Sequence, residues 1–125
     1  MAMTQPEFGV RHVDHISGIA IIDLHGDLNA AAADVLDAAY TQASAQDPST
    51  ILLNFSGVDY INSTGIALII GLVKRANQLG RRLLAYGLSS HYAKIFRMTR
   101  LADFIGIYPN EPEALANSHD PGFVI

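Results

Sequence analysis

Ile51 to Val73, ILLNFSGVDYINSTGIALIIGLV, is the stretch that decides the fold. Ile51-Leu52-Leu53-Asn54-Phe55 is a short apolar run of the kind that forms a buried strand. Ser56 to Asn62 comes next as a polar loop, and a helix is expected from Ser63 to Leu79, closed by Gly80 with Lys74 and Arg75 in its later turns. A buried strand that hands the chain to an apolar helix is the repeating step of an α/β protein.

The same step recurs on both sides. Upstream, Val10 to Asp14 and Ile19 to His25 read as two strands, and Ser17-Gly18 supplies turn chemistry for an opening hairpin. Ile19 to Leu24 is almost continuously apolar, as a strand covered on both faces must be. Gly26-Asp27-Leu28-Asn29 ends it, with Asn29 placed to cap a helix in which Leu28, Ala32, Val35, Leu36, Ala39 and Ala43 keep helical spacing. Asp47-Pro48 stops that helix. Downstream come a strand at Arg82 to Tyr86, a helix from His91 to Thr99 after Gly87-Leu88-Ser89-Ser90, and a strand at Phe104 to Tyr108. A short final helix opens at Asn110-Glu111-Pro112, where proline suits a first turn. The expected order is ββαβαβαβα, a single α/β domain with a largely parallel central sheet, an opening hairpin strand and helices packed on it. Residues 1–8 read as a flexible leader, 9–117 as the domain and 118–125 as a C-terminal tail ending in Gly122-Phe123-Val124-Ile125.

Chemistry concentrates where loop meets helix. The first turn of a helix has unpaired N–H groups and a partial positive charge, so an anion is stabilised there. Ser63, in that turn, is a sensible phosphoacceptor, because the dianion created favours the helix. Ser, Thr and Asn at a helix start also serve as simple caps, which is their commoner role. Both readings of Ser63 stand. The helix is apolar nearly all round, through Ile66, Ala67, Leu68, Ile69, Ile70, Leu72 and Val73. Such a helix is either doubly buried or offers an apolar surface to a partner.

Composition narrows the function classes. The chain has 125 residues, no cysteine and a formal net charge of −4, with its eight Lys and Arg scattered. Disulfide and thiolate chemistry are excluded, and no basic block exists to neutralise a row of phosphates, which argues against nucleic-acid binding. The longest apolar run, Gly65 to Val73, is about half a bilayer span, so a soluble, cytoplasmic protein without membrane insertion is expected. His12, His15, His25, His91 and His119 form no metal-binding spacing, and neither metal nor cofactor is expected. No nucleophile elbow surrounds Ser63, so the expected role is not enzymatic.

Gly26-Asp27-Leu28-Asn29 and Asn62-Ser63-Thr64-Gly65, in register within this order of elements, give the chain its resemblance to the STAS domain. That family includes bacterial anti-sigma-factor antagonists and cytoplasmic domains of sulfate transporters. The resemblance runs from about Val10 to Ala116. It implies an antagonist that binds an ATP-dependent anti-sigma serine kinase while Ser63 is unphosphorylated and releases it once Ser63 is phosphorylated, a phosphatase reversing the step. Asp27, Asn29, Asn62, Thr64, Gly65, Ile66 and Ile69 would then belong to the kinase-facing surface. The family commonly has aspartate where Asn29 and Asn62 stand. Asparagine keeps the capping ability, but it removes negative charge beside the acceptor. That lowers repulsion of a phosphate and takes away a feature available to a kinase.

Two other functions fit the same residues. One is a constitutive adaptor or scaffold subunit of a transporter ATPase or stress-sensing complex, which the resemblance covers equally. The other is a nucleotide-binding or hydrolytic domain using the helix starts at Ser63 and Ser89, for which the glycine density is low. Lys94, Arg97 and Arg100 form a basic stripe on the third helix, read as a solvated face or as a contact for an acidic partner.

Overall fold

The computed structural model describes residues 7–13 and 18–118. The Asp14 strand end, Ser17 of the turn, His15, His119 and the apolar tail therefore lie outside the described residues. Five strands form one sheet in chain order: β1 (Glu7–His12), β2 (Ile19–Leu28), β3 (Thr50–Ile61), β4 (Arg82–Tyr86) and β5 (Gly106–Tyr108). β1 pairs antiparallel with β2, and the other neighbours are parallel. Among the described residues three helices lie between strands, α1 (Ala33–Ser44), α2 (Ser63–Gln78) and α3 (Ser90–Met98), and a fourth, α4 (Glu111–Ala116), follows β5. The expected α/β class, opening hairpin and element order are all present.

The near-continuous apolar character of β2 has the expected cause. Alternate residues point to opposite faces of a strand. Ala20, Ile22 and Leu24 face a core shared with α1, α2 and α3, while Ile19 and Ile21 face a second core with Leu52, Leu84, Tyr86 and Ala114 of α4. In the larger core Phe96 of α3 is fully buried, edge-on to Phe55 of β3 with ring centroids 5.7 Å apart.

On the α4 side, a polar network crosses the sheet. Arg11 of β1 donates to Asp23 of β2 and to Glu111 of α4, Asn54 of β3 donates to Asp23, and Tyr86 of β4 donates to Glu111. Hydrogen bonds from Arg11 and Tyr86 hold the Glu111 carboxyl below its usual range. Burial pushes the Asp23 carboxyl up, but the bonds from Arg11 and Asn54 with the arginine charge outweigh it and leave it low.

The main departure concerns Ser56 to Asn62, expected as a loop. β3 continues to Ile61, and β2 continues beyond His25 to Leu28, the two extensions pairing from His25↔Gly57 to Leu28↔Ile61. Register shifts after Asp23 and Gly26 interrupt the ladder, and Gly26 takes φ 91° between them. Glycine accepts that left-handed backbone without a steric cost, so the strands bend and carry on. Gly26, Gly57 and Asp59 are poor strand formers, which is why the sequence hides the extension. Smaller differences are a β1 that opens at Glu7 and a β5 confined to Gly106–Tyr108, preceded by a 3₁₀ turn at Leu101–Asp103.

Candidate functional site

The extended strands deliver two separate segments to one place. Asp27 is opposite Tyr60 and Leu28 opposite Ile61, so the Gly26–Asn29 and Asn62–Gly65 segments leave the sheet side by side. The Asn62 N–H donates to the Leu28 carbonyl at 3.1 Å. Gly65 then lies directly on β2: a Cβ there would stand 2.2 Å from the Leu28 carbonyl oxygen and 2.9 Å from Ile61 Cγ2. Only glycine fits, and it fixes the first turn of α2 against the end of β2. Tyr92 of α3 completes the support, its hydroxyl accepting from the Ile61 N–H at 3.0 Å.

Asn62 is the cap of α2. Its backbone is extended (φ −95°, ψ −176°), and its side-chain oxygen accepts from the Gly65 N–H at 2.9 Å. Its carbonyl accepts from the Ile66 N–H at 3.0 Å. Ser63 is therefore the first helical residue, not the cap. Its side chain is exposed, and its hydroxyl has no hydrogen-bond partner among the described residues. The first turn of α2 contains no acidic side chain. An anion on Ser63 Oγ would thus meet the open N–H groups and positive end of a sixteen-residue helix without a carboxylate in that turn to oppose it.

Asn29 plays the matching part across the gap, where its side-chain oxygen accepts from Ala31 at 2.9 Å. It caps a 3₁₀ turn, Ala30–Ala32, that leads into α1. Asp27, Asn29, Asn62 and Ile66 are half-buried, while Ser63 and Thr64 are exposed. Gly65 is buried and serves through its backbone. Ile69 corrects the expected surface: it is wholly buried against the sheet, so its side chain is core and reaches no partner. Ser89, at the other helix start, is a cap, accepting from the Tyr92 N–H at 3.2 Å.

Tyr60, 54% exposed beside Asp27, was missed because Ser56–Asn62 read as a loop. Local patterning gave no signal for it: Val58 is half-buried, Asp59 and Tyr60 are both exposed and Ile61 is buried, which is not the alternation of a regular strand. The apolar α2 is neither doubly buried nor wholly open. Ile69, Leu72, Val73 and Ala76 are buried, Ile66 and Leu68 are partly covered, and Ile70 is 39% exposed.

The STAS domain model matches residues 11–114, a span that includes both capped starts. The chain belongs to the STAS domain family. The anti-sigma-B factor antagonist of Listeria monocytogenes is 28% identical to it over 112 residues, 90% of this chain and 95% of that protein. Among solved structures, an anti-sigma factor antagonist from Mycobacterium paratuberculosis superposes with a TM-score of 0.73 at 20% identity, covering 92% of this STAS domain and 95% of that chain. The Bacillus cell fate determinant SpoIIAA in its phosphorylated form superposes with a TM-score of 0.69 at 23% identity, covering 90% and 100%. These superpositions establish the STAS fold. No helix among the described residues is long and apolar enough to cross a membrane.

Proposed function

We propose that this STAS domain is a cytoplasmic anti-sigma-factor antagonist, a binding protein and not an enzyme, switched by phosphorylation of Ser63. The observation that carries the reading is the division of labour at the start of α2. Asn62 does the capping, so the Ser63 hydroxyl is exposed and unengaged at a position built to hold an anion. The relatives named as anti-sigma-B factor antagonists, and the fold shared with a protein solved in phosphorylated form, support it.

In this scheme the unphosphorylated surface around Asp27, Tyr60, Ser63, Thr64 and Ile66 docks an anti-sigma serine kinase. The kinase transfers the γ-phosphoryl group of ATP to Ser63 Oγ, the serine proton passes to a kinase base, and ADP leaves. The new phosphate carries a charge of about −1.5 to −2 and three acceptor oxygens, and is stabilised on the antagonist by the helix start. The same charge, set into a contact that includes Ile66 and Tyr60, must be desolvated for the partner to stay, so the complex separates. Hydrolysis of the phosphoserine by a phosphatase restores binding. Asn29 and Asn62 leave the site less negative than aspartates would, which favours the phosphorylated state on the antagonist side.

The test is an affinity capture from the source cells with wild type, Ser63→Ala and Ser63→Asp as baits, read by mass spectrometry. A serine kinase held by wild type and Ser63→Ala but lost with Ser63→Asp is the expected result. The same partners on all three baits would refute the switch and leave a constitutive adaptor.

A further inference from the structure

A second surface lies further along α2, beside the residues that follow α3. There Ile70 and Val73 of α2, Leu101 of the 3₁₀ turn and Phe104 line a trough of about 250 Å³. Ile70 is 39% and Phe104 61% exposed. Val73 is ten residues beyond Ser63, about 15 Å along the axis at 1.5 Å per residue, so the trough is separate from the phosphoacceptor. Its volume is below the roughly 300–1,000 Å³ of small-molecule sites, which suits anchoring side chains better than a whole metabolite.

The charge around it is opposite to that of the chain. Lys74 and Arg100 line the trough, and no carboxylate among the described residues does. The protein has eight Lys and Arg and a net charge of −4. Arg11, Arg75 and Arg81 are paired with carboxylates, and Arg82 donates to the Asn117 carbonyl. The other four, Lys74, Lys94, Arg97 and Arg100, all belong to the second half of α2, to α3 and to the residue opening the turn after it. Lys94 and Arg97 are exposed on α3. Arg100 is bonded to Asp103, whereas Lys74, Lys94 and Arg97 have no ion-pair partner among the described residues. Of these four, Lys74 and Arg100 line the trough, and Lys74 brings a charge with no ion-pair partner among the described residues.

The lining also restricts the shape of an occupant. It comes from a helix, a helix end and a turn, with no strand edge exposed in it. An extended peptide would find no ladder to join, whereas a helix arrives with its backbone already bonded.

We propose that the trough between α2 and the turn after α3 docks an acidic amphipathic helix of a partner protein. Two apolar side chains one turn apart would seat on Ile70, Val73, Leu101 and Phe104, and its carboxylates would face Lys74 and Arg100. This docking does not pass through Ser63 and stands whether or not the phosphorylation switch holds.

The experiment is a selection of random peptides displayed on phage against the intact protein, followed by titration of the selected peptides and amide chemical-shift mapping. The expected peptides carry Leu, Ile or Phe at i, i+3 and i+4 among Glu and Asp, and shift the amides of Ile70, Val73, Leu101 and Phe104. Phe104→Ala and Lys74→Glu change exposed side chains; each is expected to weaken binding about tenfold, as loss of an anchor or a charge does. Ser63→Asp should leave affinity within about twofold. Four results would overturn the proposal: peptides without acidic residues, shifts confined elsewhere, binding that survives both trough variants, or binding lost with Ser63→Asp. Two further outcomes would replace the occupant. Peptide binding gained only on deleting residues 119–125 would assign the trough to the chain's own tail, and self-association abolished by Phe104→Ala would assign it to a second copy.

Discussion

The start of the 3₁₀ turn that leads into α1 and the start of α2 stand side by side at one end of the sheet, and both are closed by an asparagine whose side chain accepts a backbone N–H at 2.9 Å. They differ in the three residues after the cap. Asn29 leads into three alanines in a 3₁₀ turn, with no side-chain hydroxyl. Asn62 leads into Ser63, Thr64 and Gly65, helical from the first residue and pressed against the Leu28 carbonyl. Capping is common to the two, so it does not account for Ser63-Thr64-Gly65. What is particular to α2 is an exposed hydroxyl held in a fixed position by a glycine contact with the neighbouring strand.

Gly65→Ala strikes that difference hardest. A methyl 2.2 Å from a carbonyl oxygen forces the strand and helix apart, at an expected cost of about 3 kcal/mol, readable as a drop in urea midpoint. Gly71, on the same helix with open space around its Cβ position, is the control, and Gly71→Ala should stabilise by up to about 1 kcal/mol. Next comes Asn62→Ala, expected to cost about 1 kcal/mol, the usual loss for a helix cap. Asn29→Ala should cost less, because it caps a 3₁₀ turn of three residues and not a long α-helix. Equal costs for the two asparagines would erase the distinction between the two starts. Smallest of all, Ser63→Ala should change stability by no more than about 0.5 kcal/mol, since the hydroxyl has no partner to lose among the described residues. A larger loss would mean that Ser63 shares in the capping.

Much of this architecture was legible in the residues. Element order came from apolar runs and their punctuation, and Asn29, Asn62, Ser89 and Asn110 each proved to be a cap where a polar residue precedes a helical pattern. Two features were not legible. The pairing of 25–28 with 57–61 depends on register shifts around Gly26, a long-range property that local propensity opposes. The burial of Ile69 depends on which side of an almost uniformly apolar helix meets the sheet, and that pattern carries little phase. The same uniformity concealed the trough at Ile70 and Val73, whose walls come from Leu101 and Phe104, about thirty residues away in the chain.

The strands lie across the sheet in the order in which they occur in the chain. A growing chain can therefore add each strand to an edge already present, without waiting for a later one to be inserted between two others. Loop closures stay short, and the entropy lost at each addition is small. One set of bonds escapes this piecewise growth. Arg11, Asp23, Asn54 and Tyr86 sit on four successive strands, yet Arg11 and Tyr86 both await Glu111 on the last helix. Assembly from the first strand onward thus ends with α4 fastening the earliest part of the chain to the latest, so the final helix reports on whether the whole sheet has been laid down in register.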